Sequence, residues 1–181
     1  MTGLLHKGWR VLLVSLLLWV ALGCGGKKSY KAPCEYTYGQ QAVAVELSAT
    51  PDLNSYNQQP HTVLVVLYQL SDPNKFQQLL ESQEGVGRLL DGQPFDGSVV
   101  SSRQVVVQPG ELNQLLMDRV DGARYVGIVG GFYNQQAQNF SRLYPMPTRV
   151  ERSFFGKEQR CYATALKVAL RLGSDGFVGV P

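Results

Sequence analysis

The chain has 181 residues, 44% hydrophobic and 17% charged, with a formal net charge of +3. Removing the first 23 residues, which read as a cleaved leader carrying Lys7 and Arg10, leaves 158 residues with 15 basic against 14 acidic side chains, a balance of +1. A chain of that size holds one ordinary domain with a full core, and so small a balance excludes a nucleic-acid surface built on net charge.

Lys7 and Arg10 lead into Val11–Leu22, a run of 12 residues that is apolar except for Ser15 and stops at Gly23-Cys24. A spanning helix needs roughly 20 apolar residues, whereas a secretory segment needs about 7 to 15 followed by small residues at a cleavage point. A signal peptide over residues 1–23 is therefore expected. Ala21-Leu22-Gly23-Cys24 resembles a bacterial lipobox, although Ala21 and Leu22 stand in the reverse of the usual order. The resemblance implies an acylated Cys24 as the new N-terminus, with that covalent lipid and no other cofactor. More than one acyl chain makes a lasting anchor. The other reading of the same residues is an ordinary signal peptide ending beside a cysteine. By resemblance to lipoprotein sorting, Gly25 after the cysteine, rather than Asp, implies the outer membrane. Residues 24–33 read as a lipidated tether.

With Cys24 lipidated, only Cys34 and Cys161 remain. An exported domain sits where disulfides persist, so the two are a candidate bridge, the alternative being two buried free thiols.

The domain, residues 34–181, opens with alternation over Gln41–Ala49, which places Val43, Val45 and Leu47 on one face of a half-buried strand. Thr50–His61 (TPDLNSYNQQPH) is polar, bracketed by prolines and expected to be a long exposed loop. Thr62–Leu70 (TVLVVLYQL) is apolar and β-branched enough for a central strand buried on both faces. Ser71-Asp72-Pro73 reads as a helix start, and Phe76, Leu79 and Leu80 predict one short helix ending near Gly85–Gly87. Strands are expected at Val99–Val107, Leu112–Met117 and Ala123–Tyr133 with turns at Pro109-Gly110 and Asp121-Gly122, in a meander. Gly127, Gly130 and Gly131 lie inside apolar strand residues, which points to a bulge or a close backbone approach and not to a phosphate loop. A loop at Gln135–Asn139, a strand at Phe140–Tyr144 and a strand at Cys161–Leu172 follow, the alanines of the last leaving a helix open. About seven strands and a single helix predict a mainly β fold, a two-sheet sandwich.

The chain after the leader holds one histidine, His61, which reads as an exposed loop residue and cannot alone build a metal site or a triad. Asp91, Asp96, Asp121 and Asp175 sit in turns without paired spacing, and Ser101 and Ser102 lack a nucleophile-elbow context. No catalytic residue and no metal ligand is assigned. The expectation is a tethered binding protein and not an enzyme.

The segments His61–Phe76 (HTVLVVLYQLSDPNKF), Val107–Glu111 (VQPGE), Ala123–Phe132 (ARYVGIVGGF) and Leu143–Pro145 (LYP) resemble, in order and spacing, the TssJ (SciN) family of type VI secretion lipoproteins. The resemblance covers roughly Ala42–Pro147 and is weaker over Thr148–Pro181, which holds Phe154-Phe155 and Cys161. It implies a transthyretin-like sandwich with one short added helix, anchored at the periplasmic face of the outer membrane. It also implies docking to the periplasmic C-terminal region of the inner-membrane protein TssM, within a complex with TssL. The family's contact loop corresponds here to Thr50–Pro60, and Asp52, Leu53, Asn54 and Tyr56 are the expected contact residues. The runner-up is a lipid-anchored sandwich that binds a small ligand or a cell-wall component in an apolar pocket with a few polar groups.

Overall fold

The computed structural model describes residues 33–134, 139–152 and 159–179. The signal peptide, Cys24, the tether up to residue 32, residues 135–138 and the Phe154-Phe155 pair lie outside the described residues. Ten strands and two helices are described: β1 (Gly39–Ala49), β2 (Val63–Leu70), α1 (Asn74–Leu80), α2 (Gln83–Leu90), β3 (Val99–Val107), β4 (Leu112–Arg119), β5 (Tyr125–Gly130), β6 (Ser141–Pro145), β7 (Thr148–Arg152), β8 (Gln159–Ala163), β9 (Leu166–Leu172) and β10 (Phe177–Val178).

Two four-stranded sheets, ordered β10-β9-β1-β4 and β3-β2-β5-β6, form the layers, and β7-β8 is a separate ribbon. The alternation in β1 works as expected: Val43, Val45 and Leu47 are buried, while Ala44, Glu46 and Ser48 point outward. β2 is buried on both sides because each has a cover. Gln69 crosses to the other sheet, its Nε2 donating to the Asp118 carbonyl (2.7 Å) and its Oε1 accepting from Val120 N–H (3.0 Å). On the opposite side the Tyr68 hydroxyl donates to the Leu89 carbonyl of α2 (2.6 Å). The sheets are not a meander. β1 pairs antiparallel with β4 and parallel with β9, and β2 lies between β3 and β5.

Three further sequence expectations are corrected. The single helix is two, because the Ser82 hydroxyl accepts Gly85 N–H (3.0 Å) and starts a new one. Gly85, which reads as a stop, sits inside α2. A Cβ there would lie 2.1 Å from the Leu79 carbonyl oxygen, so the missing side chain lets α2 start against the end of α1. Gly127 is neither a bulge nor a backbone approach, since the Phe76 ring from α1 fills the place its Cβ would take, 2.8 Å away. Cys161–Leu172 is two strands: the chain breaks at Thr164, whose N–H donates to Pro147 (2.7 Å), so that β8 pairs with β7 and β9 with β1.

The sandwich has two distinct ends. At the end where the chain enters, Cys34 and Cys161 are joined by a disulfide with Cα atoms 4.4 Å apart. Glu35 forms a parallel bridge beside β8, its N–H donating to Cys161 (2.9 Å) and its carbonyl accepting from Ala163 (2.9 Å). Buried Arg119 closes the same end, donating from Nε to Thr37 (2.8 Å) and from Nη1 to Thr164 (3.0 Å). β1 then runs 11 residues, or about 35 Å, to the other end, where Thr50–Thr62 joins the sheets.

Candidate functional site

The loop after β1 is held by backbone bonds on both flanks. Thr50 N–H donates to Leu172 (2.9 Å), Asn54 N–H to Gly173 (3.1 Å), Ser55 N–H to Ser174 (3.1 Å) and His61 N–H to Leu53 (2.9 Å). Tyr56 and Gln59 exchange N–H to carbonyl bonds of 2.9 and 3.0 Å around Asn57 and Gln58, whose φ values of 50° and 62° are the left-handed pair that a type I′ turn needs. The polar composition that reads as a loop therefore encodes a turn of fixed shape.

This shape sorts the four expected contact residues into two kinds. Asp52 and Tyr56 are exposed, Tyr56 by 54%. Leu53 and Asn54 are buried in the chain's own fold, at 0% and 2% exposure, and neither is presented at the surface. Leu53 belongs to the main hydrophobic core. Asn54, at φ 47°, holds the loop to both neighbours: its Nδ2 donates to the Thr62 carbonyl (3.1 Å) and its Oδ1 accepts from Tyr133 N–H (2.8 Å). An asparagine tolerates that φ where most side chains do not.

Tyr133 is the residue that sequence reasoning places elsewhere. The apolar run Ala123–Tyr133 predicts it inside a strand, but β5 ends at Gly130. Gly131 N–H turns to the Leu64 carbonyl (2.8 Å), and Tyr133 emerges 60% exposed beside the loop. Its ring stacks on Tyr56 with centroids 5.0 Å apart and an interplanar angle of 23°. His61, expected to be exposed, is half-buried and sets its ring edge to Tyr133 at 5.2 Å and 73°. Its Nδ1 is buried without a hydrogen-bond partner. Two loops thus present one aromatic platform, Tyr56 and Tyr133 outward with His61 beneath, rimmed by exposed Asp52, Asn57, Gln58 and Gln59. Exposed rigid aromatics with a polar rim suit protein recognition. The only advance signal for Tyr133 was an aromatic standing beside a Gly-Gly pair at a strand end.

An open groove of about 470 Å³ lies on the outer face of β4-β1-β9 and is lined by Ala44, Glu46, Gln114, Leu116, Lys167 and Ala169 among others. Among the described residues no group of three or more His, Cys, Asp or Glu is arranged to hold a metal ion, and no helix is long and apolar enough to cross a membrane.

Comparison with known proteins adds the following. The family described as "Type VI secretion lipoprotein, VasD, EvfM, TssJ" matches residues 41–174. The fold is similar to a chain of the structure titled "T6SS protein TssM C-terminal domain" from EAEC, with TM-score 0.55 and 18% identity over 77% of this chain and 97% of that one. It is similar to Lip of Serratia marcescens, titled a membrane-bound component of the type VI secretion system (TM-score 0.53, 18% identity, 82% of this chain and 98% of that one). The T6SS lipoprotein TssJ1 of Pseudomonas aeruginosa is a further likeness (TM-score 0.50, 17% identity, 80% and 97%). No curated protein matches the sequence.

Proposed function

The chain belongs to the type VI secretion lipoprotein family, and from that premise we propose that it is held by acylated Cys24 at the periplasmic face of the outer membrane and docks the periplasmic C-terminal region of a TssM-like inner-membrane protein, within a complex that includes TssL. The observation that carries the proposal is the aromatic platform: the loop that the family resemblance implicates in docking stacks Tyr56 on Tyr133 and leaves both rings exposed. Asp52 and Tyr56 are its contact residues from the first loop and Tyr133 from the second, while Leu53 and Asn54 hold the loop in shape. The platform stands at the end of β1 away from Cys34, and in this reading it is the end offered to a partner reaching out from the inner membrane. The role is assembly and not catalysis.

Titration calorimetry of the domain from Gly25 onward against the periplasmic C-terminal region of the cognate TssM-like protein tests this. Binding at micromolar affinity or tighter is expected, and a Tyr56→Ala, Tyr133→Ala double variant should lose at least about tenfold. A folded wild-type domain that does not bind removes the docking reading. The groove on β4-β1-β9 would then become the place to look for a small ligand, as a lipid-anchored binding sandwich requires. Tight binding untouched by the double variant removes the platform alone.

A further inference from the structure

The charges of this chain are segregated along its long axis. The tether carries Lys27, Lys28 and Lys31 with no acidic residue, and Thr148–Ala163 carries Arg149, Arg152, Lys157 and Arg160 against Glu151 and Glu158, so together these two segments hold +5. Everything else after Cys24 has eight basic residues against twelve acidic ones, a balance of −4. The near-neutral total hides this polarity.

The fold fixes the start of the described chain beside the second basic segment. Cys34, the first residue of the domain, is bonded to Cys161 in β8, and the bridge made by Glu35 fixes the entering chain alongside that strand. Ten residue steps separate Cys24 from Cys34, so the ribbon's root lies within about 35 Å of the lipidated position even with the chain fully drawn out. In the β7-β8 register Arg149 faces Tyr162 and Glu151 faces Arg160 across the strands, which puts Arg149 and Arg160 on one ribbon face, both exposed. Glu151 shares that face and accepts a hydrogen bond from the Tyr162 hydroxyl. Val150 is 55% exposed on the other face, although it stands opposite the buried Cys161.

We propose that the β7-β8 ribbon is a phospholipid-binding element: Arg149 and Arg160 contact the phosphates of anionic headgroups, so that the ribbon lies on the bilayer and the sandwich stands with its aromatic end pointing away. This rests on the acylation of Cys24 proposed above and is independent of partner docking. The charge polarity is complementary to an anionic surface, which attracts each nearby basic residue by a factor of about five. It also repels the acidic body of the domain. A lipid anchor at the end of a tether leaves a protein free to swivel, and the ribbon would set the angle at which the docking platform is offered. Phe154 and Phe155 lie between the strands, outside the described residues, and are not counted in the site.

The test uses the fact that both tryptophans of the chain, Trp9 and Trp19, precede Cys24. Val150→Trp and Leu112→Trp, the latter an exposed β4 residue near the aromatic end, each give the mature acylated protein one reporter. Energy transfer from each tryptophan to dansyl headgroup-labelled lipid is measured in vesicles of phosphatidylcholine alone and with added phosphatidylglycerol. The expected result is stronger transfer from Val150→Trp than from Leu112→Trp, increased by phosphatidylglycerol. Adding Arg149→Glu and Arg160→Glu should weaken the lipid contact by more than about 25-fold and bring transfer down to the Leu112→Trp level. Equal transfer from the two reporters, or transfer indifferent to both lipid charge and the arginine reversals, overturns the proposal. Circular dichroism of each variant separates a lost contact from a lost fold, and unchanged calorimetric docking of the reversal variant separates this site from the platform.

Discussion

Replacing Asn54 with alanine tests how the loop after β1 is built. The substitution removes two hydrogen bonds, from Tyr133 N–H (2.8 Å) and to the Thr62 carbonyl (3.1 Å), and places an ordinary side chain at φ 47°. Each bond contributes about 0.5–1.5 kcal/mol net, and the left-handed backbone costs alanine about 1–2 kcal/mol. The expected loss is therefore about 2–5 kcal/mol. Asn54→Gly loses the same bonds but tolerates the backbone, so it should fall short of the alanine variant by about 1 kcal/mol. Urea unfolding of the domain from Gly25 onward, with unchanged m-values, reads both numbers. Asn54→Ala within about 0.5 kcal/mol of wild type would refute the reasoning, because a loss that small is what an ordinary surface substitution gives.

Three other perturbations follow from the packing. The Cys34–Cys161 bridge closes a separation of 127 residues, and replacing both cysteines with serine should cost about 4–5 kcal/mol in guanidinium unfolding, a loss under about 1 kcal/mol refuting the chain-entropy account. Gly127→Ala drives a methyl to 2.8 Å from the Phe76 ring, and a destabilisation of about 1–3 kcal/mol is expected, partly recovered by adding Phe76→Leu; no recovery would show that the two sites are not coupled. Burial pushes the Tyr68 hydroxyl from 10.0 up to about 12. The fold favours the neutral form, so this contribution is fully present below pH 10 and is lost as pH rises toward 12. Tyr68→Phe should flatten that alkaline limb in a pH series of unfolding free energies, and an unchanged slope would contradict the assignment.

The strands were legible wherever one face is buried, because alternation in Val43–Leu47 and the unbroken apolar run of Val63–Leu70 are local signals of burial. β7 and β10 gave no such signal, being short and, from Thr148 to Glu151 of β7, exposed. Gly85 and Gly127 misled for a common reason. Each is glycine because something from elsewhere in the fold occupies its side-chain volume, the Leu79 backbone or the Phe76 ring, and sequence shows the gap without the filler. The loop proposed for docking was picked out by resemblance and its polar composition, but composition could not divide Leu53 and Asn54 from Asp52 and Tyr56. That division comes from a turn with its own hydrogen bonds, and Tyr133 joins Tyr56 only through the pairing of β2 with β5.

The central claim is that the chain engages its partner with one end while its lipid holds the other. Site-specific photo-crosslinking in intact cells tests it most directly, with benzoylphenylalanine placed in turn at Tyr56, Tyr133, Leu116 and Val150, all more than half exposed. The account predicts crosslinks to the TssM-like protein from Tyr56 and Tyr133 and none from Val150. Partner crosslinks from Leu116 or Val150, with Tyr56 and Tyr133 silent, would contradict it.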